Sequence, residues 1–387
     1  MFNIEHFLLF TILFCLSFVL VWKPREDYKR NFWGATAFFI LAYTLIVGLR
    51  YGWGHDYERY EFSYKMLEYV SLKDYDVAFW YFYRIVNALG LPFSGWLVIS
   101  TLTIIVSYFS IVKSMEGNKY MLMLFLPATI TITTYAMRQF QAIAYINIAI
   151  SLLVFSDQLP KRKKNSIIIS LILLLLAFNT HASTITYAIP FLPFIFYKND
   201  NALPYKITII AYIGCIVFSN IINAVFSEYL INFTQYIVVT DHLQGYVKHI
   251  DGRVLGDDAV DEATYGYGGA FQVFHYIAYV ALLYVTGKAL KIAPNRNVNI
   301  MYNIVVVALL LQEVFFAQEI MRRIIEPFCI LYFIPLGYAI NVLMLYKNKH
   351  FEGYPFYGLC MFIVLLRIFY PMYPFLTSFR LAGFVWN

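Results

Sequence analysis

Apolar runs recur along the whole chain, near 7–22, 32–49, 95–112, 120–136, 140–156, 167–178, 184–197, 207–226, 271–287, 298–317, 328–345 and 355–371. Most are roughly 17–22 residues, enough to cross about 30 Å of hydrocarbon at 1.5 Å per residue. The sixth and seventh are short, and a tilt or a re-entrant path around Asn179–Ser183 serves there as well. A membrane barrel would alternate apolar and polar residues over about ten positions, whereas these runs are unbroken. The expected fold class is therefore an all-α polytopic membrane protein with about 12 transmembrane helices. Composition excludes an ordinary soluble domain: 61% of residues are hydrophobic, 20% aromatic and 13% charged, with a mean hydropathy of +0.63.

The short segments 23–31, 113–119, 157–166, 198–206, 288–297 and 346–354 hold more than half of the 29 Lys and Arg. The positive-inside rule makes these the inner loops and puts both termini outside. That topology and an anionic inner leaflet account for the net charge of +6, so no nucleic-acid partner is inferred. The first apolar run has no basic residue before it and no small-residue cleavage site, so it reads as a retained helix. Cys15, Cys215, Cys329 and Cys360 all fall inside predicted spans, which supports neither a disulfide framework nor a thiolate metal site. Residues 1–387 read as one integral-membrane domain.

Two outer segments exceed simple turns, 50–94 and 227–270. The first passes through the aromatic stretch Val77-Ala78-Phe79-Trp80-Tyr81-Phe82-Tyr83, which reads as an interfacial helix against the headgroups. The second ends in Tyr265-Gly266-Tyr267-Gly268-Gly269, whose glycines would let it move as the lid of an outer cavity. No internal repeat, Walker motif or Gly-rich phosphate cradle is present, so coupling to ATP within this chain is unsupported.

The polar groups of the outer side fall in few places. Arg50 closes the second span, and Tyr51-Gly52-Trp53-Gly54-His55-Asp56-Tyr57 follows at once, with two glycines that permit close approach to a bulky ligand. The planar fork of Arg50 suits a phosphate at headgroup depth, and a snorkelling helix anchor is the alternative reading. Arg138 and Gln139 lie where the fourth and fifth spans meet with almost no loop. An arginine at the bilayer centre costs on the order of 3 kcal/mol, less near the interface, so Arg138 is either functional or paired, for instance with Asp56 or Glu319. His181, in Asn179-Thr180-His181-Ala182-Ser183, suits proton transfer near neutral pH, with a satisfied structural histidine as the alternative. Arg322 and Arg323 are placed at the outer end of the tenth span. Adjacent helical residues point about 100° apart, so one of them is expected to face a central cavity. Glu319 and Glu326 offer both arginines ion pairs at helical spacing.

A metal is the competing idea. Asp56 with Glu58, and Asp257, Asp258, Asp261 and Glu262, supply carboxylates without fixed spacing to further ligands, and the outer histidines lack close pairing. No metal and no cofactor are expected.

The string Gly48-Leu49-Arg50-Tyr51-Gly52-Trp53-Gly54-His55-Asp56-Tyr57, followed by Tyr60, resembles the R-Y-x-x-G-x-D-Y-x-x-Y signature of the EpsG/Wzy-type polysaccharide polymerases. Met137-Arg138-Gln139 with Ala142 and Ala144, the Asn179-x-His181-x-Ser183 island and the basic pair Arg322–Arg323 are similar to that family in order and spacing. His55 departs from the small or hydroxyl residue expected before the aspartate.

The resemblance implies a GT-C-like glycosyltransferase of the bacterial inner membrane. It would join oligosaccharide repeat units, each carried on undecaprenyl diphosphate, at the outer face, with a chain-length regulator as a partner by family analogy. Arg50, Arg138 and one of Arg322 or Arg323 would then bind the diphosphate. Tyr51, Gly54, Tyr57, Tyr60 and Gln139 would shape the substrate site, and Asp56 or His181 would accept the proton. A polysaccharide ligase using the same lipid donor, and a flippase or transporter of lipid-linked sugars, remain the rival readings; Arg367, inside the last span, belongs to the transporter reading.

Overall fold

The structure is a computed structural model and describes residues 4–52, 57–69, 76–115, 118–155, 163–196, 201–236, 269–315, 319–346, 354–369 and 383–384. Gly54, Asp56 and most of the expected lid, 237–268, lie outside these residues.

Almost everything described is helix. The chain runs through α1 (Ile4–Trp22), α2 (Arg25–Gly48), a two-residue strand β1 (Arg50–Tyr51), α3 (Tyr57–Lys65), α4 (Val77–Ala88), α5 (Phe93–Lys113), α6 (Asn118–Tyr135) and α7 (Met137–Leu153). It continues with α8 (Lys163–Thr180), α9 (Ile185–Ala188), α10 (Leu192–Phe196), α11 (Tyr205–Tyr236), α12 (Gly269–Ile292) and α13 (Arg296–Val314). The last elements are α14 (Glu319–Cys329), α15 (Phe333–Tyr346), α16 (Tyr354–Phe369) and β2 (Gly383–Phe384).

Five helices among the described residues are long and apolar enough to cross a membrane: Glu26–Gly48, Phe93–Lys113, Gln272–Ile292, Arg296–Val314 and the run Arg323–Tyr346. The other apolar stretches among the residues with described side chains are shorter, so the expected twelve full spans are met in part. The seventh run shows why apolarity alone overstates a span. A 3-10 turn at Ala182–Thr184, a second at Ile189–Phe191 and Pro190 divide it into one-turn pieces.

The bundle has two recognisable ends. At one, Asn297 Nδ2 donates to Ser114 O at 3.0 Å and Arg296 to Val154 O at 3.1 Å, joining the start of α13 to the ends of α5 and α7. At the other lie the end of α2, the start of α5, the junction of α6 with α7 and the end of α8. Helix contact is close where side chains are absent: a Cβ on Gly48 would meet Val98 Cα at 2.7 Å, so α2 and α5 touch backbone to backbone beside Arg50.

A buried aromatic cluster closes this second end. Trp96 stacks on Phe93 (5.4 Å) and meets Tyr83 (4.9 Å) and Phe79 (5.7 Å) edge-on, while Tyr60 packs between Phe79 and Trp96 at 5.9 Å from each. These rings come from α3, α4 and α5, so the segment after β1 is folded onto the helix ends. Helix α4 is the expected aromatic helix. Its Phe79, Tyr83 and Val86 are buried, its Val77, Tyr81 and Ile85 exposed, and it packs against α5 and α8.

Candidate functional site

Arg50 is the most buried charge at this end, 1% exposed. With α2 finished at Gly48, its guanidinium folds back and donates to Val47 O at 2.7 Å, satisfying a helix-terminal carbonyl. Its backbone pairs antiparallel with Phe384, and Tyr51 pairs with Gly383. Burial lowers the Arg50 pKa to about 10, with the neighbouring Tyr43 and Tyr57 opposing the shift, so the group is still a cation at neutral pH. Burial, then Glu61, push the Tyr57 phenol above its ordinary range, while Arg50 pulls it down. Arg50 is thus an inward-facing charge that organises the end of α2, where the sequence suggests a residue open to a ligand.

Tyr51 is 50% exposed and meets the Tyr57 ring edge-on at 5.8 Å. Tyr57 and Tyr60 are buried, and Tyr60 lies wholly within the aromatic cluster. Of the tyrosines in the Arg50 motif only Tyr51 presents its ring to the surroundings.

Arg138 lies beside this cluster at the first turn of α7. One residue, Ala136, separates α6 from α7, and its non-helical backbone (φ −110°, ψ 54°) makes the sharp junction that the sequence requires. The guanidinium lies over the Phe79 ring at 5.7 Å, and Nη1 stands 3.6 Å from Asp76 Oδ2 at the start of α4. Asp76 therefore supplies the ion pair for which the sequence offered Asp56 and Glu319. A carboxylate immediately before an aromatic helix was the available signal, since that is an N-cap position. Below Arg138, α7 is held by buried polar contacts: Ser100 Oγ to Gln141 Oε1 at 3.4 Å, Asn147 Nδ2 to Ser107 Oγ at 3.4 Å, and Tyr187 Oη to Asn147 Oδ1 at 3.0 Å. These tie α7 to α5 and α9 and fix the height of Arg138.

Gln139 reaches the opposite way. Its Nε2 donates to Arg323 O at 3.1 Å, which brings α14 to the start of α7. The tenth expected span corresponds to α13, which ends at Val314, and Arg322 and Arg323 lie just beyond it in α14. Arg323 is exposed; the Arg322 side chain lies outside the described residues.

His181 sits in the break between α8 and the 3-10 turn, where its carbonyl accepts from Thr184 N (3.0 Å) and Thr184 Oγ1 (2.6 Å). Its Nδ1 is 2.8 Å from Ser183 Oγ. Burial, and then the charge of Arg138, lower its pKa to about 4, so the ring is neutral at pH 7. The charge of Arg138 therefore reaches the His181 ring.

Four separate sequence segments therefore meet at one end of the bundle: Asp76 with Phe79, Arg138 with Gln139, His181 with Ser183, and Arg323. Arg50 lies behind the same aromatic cluster through Tyr57, whose ring meets Phe93 at 5.3 Å. Cations with a neutral imidazole beside them form a centre suited to anionic substrates.

Such a molecule is a helical membrane protein with a basic polar centre at one end of its bundle. The EpsG family model matches residues 35–380, nearly the entire chain, and the chain belongs to the EpsG family. Membership points to a function of the polysaccharide-polymerase type in a membrane. No curated protein and no solved structure gives a match.

Proposed function

We propose that this chain polymerises undecaprenyl-diphosphate-linked oligosaccharide repeat units into a surface polysaccharide at the outer face of the bacterial inner membrane. The observation that carries the reading is the meeting of Arg138, Gln139, His181 and Arg323 at one end of an apolar bundle. In the reaction, an acceptor hydroxyl oxygen forms a bond to the anomeric carbon of the donor. The bond from that carbon to the diphosphate oxygen breaks, and the lipid diphosphate leaves with the electron pair. The hydroxyl proton passes to a base.

The chemistry divides among the residues as follows. Arg138 and Arg323, with Arg322 next to it, neutralise charge developing on the leaving diphosphate, so no metal is required of the site. Arg50 supports them from behind the aromatic cluster by holding the end of α2. Either Asp56 or His181 receives the proton. With Nδ1–H donated to Ser183 Oγ, the His181 Nε2 lone pair is available for it. At a pKa of about 4 this imidazole is no stronger a base than an ordinary carboxylate. Proton transfer therefore follows departure of the diphosphate, once the attacking hydroxyl has become acidic. Tyr51 and Gly54 border the sugars, the segment 227–270 covers the cavity in a GT-C-like arrangement, and a chain-length regulator associates with the enzyme.

A flippase is the second reading, favoured by the broken α9–α10 segment and by an arginine within the last helix. One assay separates the two. Purified protein is given a lipid-diphosphate-linked repeat unit, and both polysaccharide ladders and released lipid diphosphate are followed. Ladders that disappear in Arg138→Ala establish the polymerase; transbilayer movement without turnover establishes the flippase; transfer to a different acceptor without ladders marks a ligase.

A further inference from the structure

Asp76 opens α4, and its side chain does not do what that position favours. The residue stands at the N-cap: its backbone is extended (φ −63°, ψ 140°), and its carbonyl accepts the first helical hydrogen bond, from Trp80 N at 3.0 Å. An aspartate is favoured there because its carboxylate turns back onto N–H groups of its own first turn. Asp76 makes no such capping bond. Its Oδ2 lies 3.6 Å from Arg138 Nη1 instead, turned toward a cation of the candidate centre.

The pairing has the marks of one that can be exchanged. Its separation exceeds the roughly 2.7–2.9 Å of a charge-assisted hydrogen bond, and both side chains reach the surroundings, Arg138 24% and Asp76 32% exposed. An ion pair of this kind contributes little and yields to a stronger anion. A diphosphate is such an anion, since it brings more charge than one carboxylate and several oxygens for the planar guanidinium fork. Arg138 keeps its place over the Phe79 ring, at 5.7 Å, whichever anion it holds. The displaced carboxylate also has a destination. The N–H of Ala78, second residue of α4, is one that an N-cap side chain reaches.

We infer that Asp76 is a positioning residue that stands in for the substrate anion: it holds Arg138 between turnovers, yields it to the diphosphate of a lipid-linked substrate, and takes it back as the lipid diphosphate departs. The inference rests on the proposed polymerisation, in which Arg138 neutralises the leaving group. Each extension discharges one lipid diphosphate, whose attraction to Arg138 is strongest once it has left the sugar. A carboxylate tethered beside the same guanidinium competes with that product and shortens its stay.

Binding of undecaprenyl diphosphate to the purified full chain, followed by native mass spectrometry in wild type, Asp76→Asn and Asp76→Glu, tests this. Asparagine caps helices as well as aspartate and has nearly the same shape, so α4 keeps its start while the competing charge is gone. Asp76→Asn is expected to bind about three- to tenfold more tightly than wild type. Its turnover should be inhibited by added undecaprenyl diphosphate at correspondingly lower concentration. Asp76→Glu, which keeps the charge, should bind no more tightly than wild type. A merely structural partner of Arg138 gives the opposite sign, because its loss leaves the guanidinium less well placed. Equal or weaker binding by Asp76→Asn therefore overturns the inference. Hydrogen exchange supplies a second readout: the first turn of α4 should exchange more slowly once the lipid diphosphate binds wild type and Asp76 caps the helix. Exchange there that ignores the ligand also overturns the inference. Arg138→Ala reports separately on the polymerase reading. If it binds undecaprenyl diphosphate as wild type does, or if wild type binds none, both fall; if it binds at least about tenfold more weakly, that reading stands whatever Asp76→Asn shows.

Discussion

Arg138 is the side chain on which the candidate centre turns. It faces Asp76 and Phe79 and its charge is felt at His181, and a charge-assisted hydrogen bond from it to a leaving diphosphate is worth about 1.5–3 kcal/mol. Arg138→Ala is therefore expected to slow chain extension roughly ten- to a hundredfold, and Arg138→Lys to recover part of the loss, because an ammonium cannot hold two oxygens in one plane. An unchanged rate in purified Arg138→Ala would exclude its role. His181 gives a prediction about pH. Its folded pKa of about 4 lies below the ordinary 6.5, so the unfolded chain binds this proton more readily than the folded one. The contribution to stability is complete above about 6.5 and is lost as pH falls toward 4. Thermal melts of His181→Gln should accordingly be flatter over that interval than those of wild type. Arg138 and His181 were both legible in the sequence, as polar groups inside apolar surroundings. Asp76 carried only the signal of an N-cap position, which marks the start of α4 but not its pairing with α7. Arg367 stood out as a charge in a span, yet its partner His275 lies in another helix far away in sequence, which no local pattern discloses.

Helices are where the sequence spoke most clearly and also where it misled. Two apolar runs with only Met137-Arg138-Gln139 between them imply a sharp junction, and the structure makes it with the single residue Ala136 between α6 and α7. The seventh run looked like one short span because hydropathy does not register Pro190 or a shift to 3-10 geometry. Arg322 and Arg323, expected at the outer end of the tenth span, lie within a helix of their own, α14, which begins at Glu319 ahead of the apolar run that follows it. Element packing yields a third prediction. A methyl group on Gly48 meets Val98 Cα at 2.7 Å, and neither backbone can turn aside. Gly48→Ala should cost about 1–3 kcal/mol and lower the melting temperature, with loss of activity through displacement of Arg50. Gly214→Ala, which has nothing within 4 Å of its added carbon, is the control and should be neutral or slightly stabilising. Equal melting temperatures for the two variants would refute the close α2–α5 contact.

Across the whole molecule, burial is continuous from one end of the bundle to the other, and the basic centre lies at the end remote from Lys113 and Arg296. If the positive-inside rule sets the orientation, a cysteine at position 51 should react with an impermeant maleimide in intact cells. A cysteine at position 119 should react only after permeabilisation. Replacing Cys15 first removes the exposed native thiol. The reverse labelling pattern would place the basic centre inside, and the outer-face polymerase reading would fail. Charge counts are the ground for expecting this orientation, but the sequence held no sign of the β1–β2 pairing, since two-residue strands have no periodicity to detect.

That pairing joins Arg50 and Tyr51 to Phe384 and Gly383, across nearly the full length of the chain. A ribosome reaches Phe384 only after it has made every helix in between. The partner for the Arg50 strand is therefore made long after Arg50 itself, and this corner of the molecule is completed then rather than by the insertion of its own helix.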